Sequence, residues 1–282
     1  MINKQRIRQS FNKAVSTYDQ AAVLQQEIGR RLLESVDLDN PQYLLDMGCG
    51  TGVCAQKLLK KYPRSRLLAL DIADQMVRAT RQRIRRQRPS WWPGGPHKRL
   101  LPVCADMEAL PLAKASMDLV FSNVSMQWCH QPEQVFNECR RILKPGGHLL
   151  LTTFGPETLQ ELRHSWAAVD EIEHVNQFTD IHDLGDMLYR AGFVNPVLDI
   201  DRFTLTYPDV YALMRDLKQI GAHHMGEGRS RALTGRERLR RMADAYEALR
   251  RDGTLPATYE VITARAWQAD QPLGSRAVSF AQ

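Results

Sequence analysis

The sequence predicts an α/β fold: a mostly parallel seven-stranded sheet with helices on both faces. Three observations predict it. Across residues 43–154, short apolar runs alternate with segments of helical period. Strand–helix–strand units of this kind lay their strands parallel and cover both faces of the sheet. The first run, Tyr43-Leu44-Leu45-Asp46-Met47, feeds a glycine-rich turn, Gly48-Cys49-Gly50-Thr51-Gly52, that opens a helix. Later runs end at or near a polar side chain: Asp71, Asp106 and Asn123.

Ile7, Phe11, Val15 and Tyr18 recur at helical spacing and predict a first helix. A second helical pattern covers 21–36, and Asn40-Pro41 breaks the chain. The strand at 43–47 and its turn are followed by a helix over 53–62, which Pro63 stops. A strand at 66–70, a helix at 73–88 and a strand at 99–105 continue the alternation, with a Trp- and Pro-rich loop at 90–96. Next come a strand at 117–122, a helix at 132–143, the turn Pro145-Gly146-Gly147 and a strand at 148–154. Helices follow at 156–169 and 184–191, the latter capped by Gly192. Segments 197–207 and 259–267 alternate, with β-branched and aromatic residues, and predict two more strands. Between them, 208–256 reads as helical and is expected to cap the sheet edge.

Composition narrows the class. At 282 residues the chain holds one large domain or two small ones. Its 43% hydrophobic and 25% charged residues exclude a disordered, collagen-like or membrane-embedded protein. The net charge is +6, but its distribution is uneven: residues 75–105 carry eight Lys and Arg and no acid. A patch of one sign attracts acidic partners, although such runs are often simply solvated helix faces. Five cysteines with no C-x-x-C pair, and no H-E-x-x-H, give no metal framework. His223-His224 lacks a further ligand at suitable spacing. Reduced thiols, a polar N-terminus and no apolar run near ~18 residues point to a cytoplasmic protein.

The glycine turn carries the chemistry. Glycines let a backbone bend sharply and approach a ligand without a Cβ in the way. An acid at the end of the next strand, where Asp71 stands, can accept hydrogen bonds from ribose hydroxyls. A dinucleotide G-x-G-x-x-G would need glycine at Val53, and no phosphate-binding G-x-x-x-x-G-K run occurs. The loop is G-x-G-x-G with Asp46 two residues ahead of it, which suits a small zwitterionic amino acid whose ammonium group meets Asp46.

On these residues the chain resembles the class I S-adenosylmethionine-dependent methyltransferases. The resemblance spans 42–154 and includes Leu143-Lys144-Pro145-Gly146-Gly147 before the fifth strand. It implies a Rossmann-like core and S-adenosylmethionine as cofactor. By this resemblance Gly48, Gly50 and Gly52, with Cys49 in the same loop, line the methionine part. Asp71 binds both ribose hydroxyls, Ile72 and Met76 pack near the adenine, Asp106 with Met107 meets its amino group, and Asn123 faces the methyl donor. A closer resemblance is to the subfamily that methylates malonyl-acyl-carrier protein in biotin synthesis. It rests on the segment from Arg8 to Asp19 (Arg-Gln-Ser-Phe-Asn-Lys-Ala-Val-Ser-Thr-Tyr-Asp), on Phe121-Ser122-Asn123-Val124-Ser125-Met126-Gln127-Trp128, and on Gly221-Ala222-His223. The Trp91–Pro96 stretch looks like an insertion relative to shorter members.

The implied organisation is an N-terminal helical lid (1–40), a cofactor-binding core (41–207), a helical cap insertion (208–256), and the last core strand with a tail (257–282). Phe11 and Tyr18, seven residues apart, share one helix face. They either pack on the core or close over the cofactor, with the Tyr18 hydroxyl meeting it. Phe11, Trp128 and His223 are the candidates at the acceptor. A carboxylate acceptor is ionised at neutral pH, so no catalytic base is expected. A guanidinium is the natural partner for that carboxylate, and the cap offers Arg229, Arg231, Arg236, Arg238, Arg240 and Arg241. An acidic carrier protein would dock on Arg81, Arg83, Arg85 and Arg86 together with these cap arginines. Open alternatives are a methyltransferase for another small acid, a quinone precursor or an RNA base, and a non-methylating assembly factor of the same fold. The N-P-P-Y type of motif expected for an RNA base is lacking at 123–126.

Overall fold

The computed structural model describes residues 3–86, 96–222 and 235–269. Seven strands form one sheet: β1 (Tyr43–Met47), β2 (Arg66–Asp71), β3 (Leu100–Cys104), β4 (Met117–Asn123), β5 (Leu143–Phe154), β6 (Val194–Tyr207) and β7 (Leu255–Trp267). Their spatial order is β3-β2-β1-β4-β5-β7-β6. The first five pair in parallel, and β7 inserts antiparallel between β5 and β6. The order reverses beside β1, so the crevice at the carboxyl ends of β1 and β4 is the natural ligand position in an open α/β sheet.

The described helices are α1 (Lys4–Ala21), α2 (Val23–Glu34), α3 (Val53–Lys61), α4 (Asp74–Arg85), α5 (Pro96–Arg99), α6 (Pro132–Ile142), α7 (Gln160–Ala167), α8 (Ile181–Arg190), α9 (Val210–Gln219) and α10 (Arg236–Glu247). Burial on both faces explains why the central strands are continuous apolar runs. Neighbouring strand residues face opposite sides. Leu45, Val120 and Leu149 pack with Phe136 of α6 and Leu188 of α8. Leu44, Phe121 and Leu150 pack with Leu32 of α2, Leu58 of α3 and Ile84 of α4. A third apolar cluster joins α7, α9 and α10 to Phe154, Tyr207 and Tyr259.

Several boundaries differ from the sequence reading. β5 starts at Leu143 and absorbs the Pro145-Gly146-Gly147 turn, because Gly146 N–H and Gly147 C=O bond to Gln268. The helix expected from 156 begins at Gln160, since Leu159 adopts φ 55° and breaks the helical path. β6 begins at Val194, where a register shift before Val197 accommodates Asn195 (φ 50°) and Pro196. β7 begins at Leu255, inside the segment assigned to the cap, by pairing Pro256 with Thr206. Arg99 ends the short α5 and does not start β3. Residues 87–95, covering most of the expected Trp91–Pro96 loop and Arg88 of the basic run, lie outside the described residues; Pro96 itself opens α5.

Candidate functional site

β1 delivers Met47, fully buried, into the glycine turn. Gly48, Gly50 and Gly52 take φ values of 76°, 52° and 85°, where side chains are disfavoured. They are required for different reasons. A Cβ on Gly48 would fall 2.4 Å from Ser125 Cβ, and one on Gly52 would fall 2.9 Å from the Thr80 Cα. At Gly50 the nearest atom is Tyr18 Cε1, 3.9 Å away. Gly48 and Gly52 therefore serve close packing, and Gly50 faces open space beneath Tyr18.

Backbone bonds hang this turn from β2. Gly48 and Cys49 both donate to the Leu70 carbonyl, at 2.8 and 2.9 Å. Asp71 ends β2 and accepts from Gly50 N–H at 2.9 Å and from Ala73 N–H at 2.8 Å. One buried carboxylate thus joins the turn to the entry of α4. Burial pushes Asp71 up to about 6, against the downward pull of the N–H groups of Ala73, Gly50 and Ile72. Asp46 lies deeper, 1% exposed. Burial and then the Asp71 charge push it up to about 7. Its Oδ2 has no hydrogen-bond partner. A buried acceptor left bare is rare, and beside Gly48 and Gly50 it fits the ammonium group of an amino-acid ligand.

These raised values make binding depend on pH. A cationic ligand favours the ionised pair, so it displaces protons and binds more tightly as pH rises from about 5 to about 8. Calorimetry in buffers of differing ionisation enthalpy is expected to show proton release near pH 6. Affinity that ignores pH would contradict a ligand amine facing Asp46. Folding of the ligand-free chain runs the other way. Because the folded values lie above the ordinary ~4, the pair stabilises most at low pH and loses that contribution as pH climbs through 6 to 7.

α1 and α2 roof the turn. Thr51 Oγ1 donates to Asp19 Oδ1 at 2.6 Å, and Arg83 bonds both Asp19 and the Thr51 carbonyl. Asn12 donates to Asp74 Oδ1 at 3.0 Å and accepts from Gln75 N–H at 3.0 Å. Lys4 pairs with Asp106 and Glu108 at 2.6 and 2.8 Å. On its other flank α1 meets the cap: Ser10 Oγ donates to the Gly221 carbonyl and Thr17 Oγ1 to the Gln219 carbonyl, at 3.1 and 2.9 Å. The cleft left between Tyr18, Asp46, Gly48, Gly50 and Asn123 is about 40 Å³, against the ~300 Å³ or more of sites that hold small molecules. α1 stands over the turn.

A second cavity of about 870 Å³ adjoins the first. Tyr18 and Gln25 line both. Its walls are aromatic: Phe11, Trp128, Phe154, Trp166, Phe178 and Tyr259. Phe11 meets Trp128 edge-on at 5.4 Å and Tyr18 at 6.4 Å. Burial, followed by the Asp71 charge, pushes the Tyr18 hydroxyl well above its usual range, so it stays protonated. Val124, at φ 48°, turns the chain from β4 into this wall.

The structure therefore gathers Tyr18, Asp46, Gly48, Cys49, Gly50 and Asn123 around one cleft. Asn123 is tied there, donating to the Gln25 carbonyl at 2.8 Å and accepting from Thr152 Oγ1 at 3.0 Å. Gly52 and Asp71 shape the turn from behind. Ile72, Met76, Asp106 and Met107 do not line the cleft; Met76, on α4, is 1% exposed, and Asp106 is held by Lys4. Phe11 and Trp128 reach the larger cavity. His223, Arg229 and Arg231 lie outside the described residues. Sequence reasoning missed Gln25 and Gly29 of α2. A Cβ on Gly29 would fall 2.7 Å from Cys54 Sγ and 2.9 Å from Asn123 Nδ2, so α2 lies directly on the site. It also missed Trp166, Asp170 and His174, whose spacing of four residues was the available signal. Among the described residues no cluster could hold a metal ion and no helix is long and apolar enough to cross a membrane; all five cysteines are free.

Sheet order, glycine turn and strand-end acids together define a class I S-adenosylmethionine-dependent methyltransferase. Residues 45–151 match the methyltransferase domain family model. A putative methyltransferase from Bacillus halodurans shares the fold with a TM-score of 0.60 at 18% identity, covering 86% of this chain and 98% of its own. The malonyl-(acyl-carrier protein) O-methyltransferase of Gallionella capsiferriformans is 47% identical over 273 residues, 95% of this chain and 92% of that protein. The biotin biosynthesis bifunctional protein BioHC of Saccharophagus degradans is 39% identical over 92% of this chain and 46% of its own length. The chain belongs to the malonyl-(acyl-carrier protein) O-methyltransferase family.

Proposed function

We propose that the chain methylates the free carboxylate of a malonyl group carried on an acyl-carrier protein, as a cytoplasmic step of biotin synthesis. The observation that supports this most is the aromatic cavity beside the glycine turn. Its ~870 Å³ lies within the ~300–1,000 Å³ of small-molecule sites and has room for an acyl thioester with part of its pantetheine arm. S-adenosylmethionine supplies an electrophilic methyl group on a sulfonium centre. The protein's task is alignment. Asp46, the Gly50 backbone and Asp71 hold the donor, Tyr18 and Gln25 separate the two cavities, and the aromatic wall excludes water. A carboxylate already ionised near pH 7 needs no proton removed.

The rim of the cavity suits an acidic carrier. Arg6, Lys13 and Lys218 line it and are exposed, against Glu173 among the described acids there. Arg81, Arg85 and Arg86 on and beside α4 are also exposed, whereas Arg83 is committed to Asp19. Reversing the charge of Arg81, Arg85 and Arg86 together is expected to raise KM for the carrier-bound substrate about tenfold, leaving malonyl-coenzyme A unaffected. Equal KM values for wild type and variant would remove α4 from the docking surface.

The function itself is tested by incubating the protein with a labelled methyl donor and, in parallel, malonyl-carrier protein, malonyl-coenzyme A and free malonate. Label is expected on the carrier-bound malonyl group. Label on free malonate alone, or on none of the three, contradicts the assignment.

A further inference from the structure

The wall of the large cavity contains a polar chain that cofactor binding leaves unused. Trp166 of α7 stacks on the His174 imidazole, with centroids 3.7 Å apart and planes 13° from parallel. His174 Nε2 lies 2.9 Å from Asp170 Oδ1, which also accepts from Ile172 N–H at 3.1 Å. Asp170 Oδ2 has no hydrogen-bond partner, and the Arg238 guanidinium stands 3.6 Å from it. Trp166, His174 and Arg238 all line the cavity. Burial pushes the Asp170 carboxyl up, but the His174 bond, the Ile172 N–H and Arg238 outweigh it and hold the group below its ordinary value.

An imidazole–carboxylate pair facing a substrate suggests a base, yet an ionised acceptor has no proton to give up. What a buried carboxylate needs is a cation with free donors. Arg6, Lys13 and Lys218 are exposed at the rim. Arg238 is exposed as well, 51% at its side chain, but differs in being tethered from within by a carboxylate that is itself only 12% exposed. At 3.6 Å the guanidinium is steered by Asp170 without being locked to it. It also sits in the first turn of α10, where the helix dipole adds positive potential.

We propose that Arg238 holds the carboxylate of the methyl acceptor, with Asp170 as its positioning residue and Trp166–His174 fixing Asp170. The proposal rests on the malonyl-carrier reading and names the group within that site that recognises the anion.

The test compares two ligands on the full chain loaded with S-adenosylhomocysteine: malonyl-carrier protein, which bears the charge, and its methyl ester, which does not. Arg238→Gln is expected to weaken binding of the malonyl form by at least about tenfold and to leave the ester unchanged. Arg238→Lys retains part of the preference, since it keeps the charge and loses the planar fork. Asp170→Asn loses part of it with the cation intact. A merely structural role would weaken both ligands equally. That result, or an Arg238→Gln variant that binds both like wild type, overturns the proposal while the methyltransferase assignment stands. If the wild type binds neither carrier, the proposed substrate falls and this assignment with it.

Discussion

Asp71→Ala is expected to weaken S-adenosylmethionine binding by about 100-fold or more. The carboxylate bonds the N–H of Gly50 and of Ala73 and is the expected partner of the ribose hydroxyls. Hydrogen bonds to a charged group are worth about 1.5–3 kcal/mol each, so losing a pair of them at the ligand approaches that factor. The substitution also releases Gly50 from its place beneath Tyr18, which loosens the one stretch of the turn open to a ligand. Equilibrium dialysis with labelled cofactor reads the loss directly. Asp71→Asn lacks the charge and keeps one acceptor oxygen, so it can accept from Gly50 or from Ala73 but not from both, and an intermediate affinity is expected. An Asp71→Ala variant that binds within about twofold of wild type would mean that β2 does not supply the ribose contact.

Gly52→Ala is expected to cost about 2–5 kcal/mol of folding stability, the sum of a left-handed φ at a residue with a Cβ and of overpacking. The new Cβ would lie 2.7 Å from Thr80 Oγ1 and 2.9 Å from its Cα, so α4 as a whole has to move. Gly50→Ala carries the φ penalty alone, about 1–2 kcal/mol, because only Tyr18 Cε1 stands within 4 Å of its Cβ. Denaturant titration of both variants is expected to rank them in that order. Cofactor affinity is expected to fall more for Gly50→Ala than its stability loss suggests. Equal destabilisation would contradict the division of the turn into packing glycines and a ligand-facing one.

The parts of the site that the sequence made legible are those written in consecutive residues. The turn from Asp46 to Gly52 reads directly because one stretch of chain supplies strand, bend and helix entry. Asp71 reads because strand ends are marked by a change from apolar to polar. The central strands read because both their faces are buried, which leaves no polar alternation to confuse them. What failed to read is assembled across the chain. Gln25 and Gly29 meet Asn123 through a helix packed on a sheet about a hundred residues later. Trp166, His174 and Arg238 converge only because α7 and α10 fold onto one apolar cluster. Strand edges were also obscured by exceptions to propensity. Leu255-Pro256 falls in the segment read as helical, yet Pro256 pairs with Thr206, and Asn195-Pro196 hides the start of β6 within an irregular register. Arg83 shows that charge alone does not locate a docking surface, since its guanidinium is bound to the C-terminal part of α1.

The cradle is tested most directly by a crystal structure of the protein with S-adenosylhomocysteine. The ligand's amino group is expected within hydrogen-bonding distance of Asp46 Oδ2 and its ribose on Asp71. A nucleoside bound elsewhere, with Asp46 Oδ2 still bare, would contradict it.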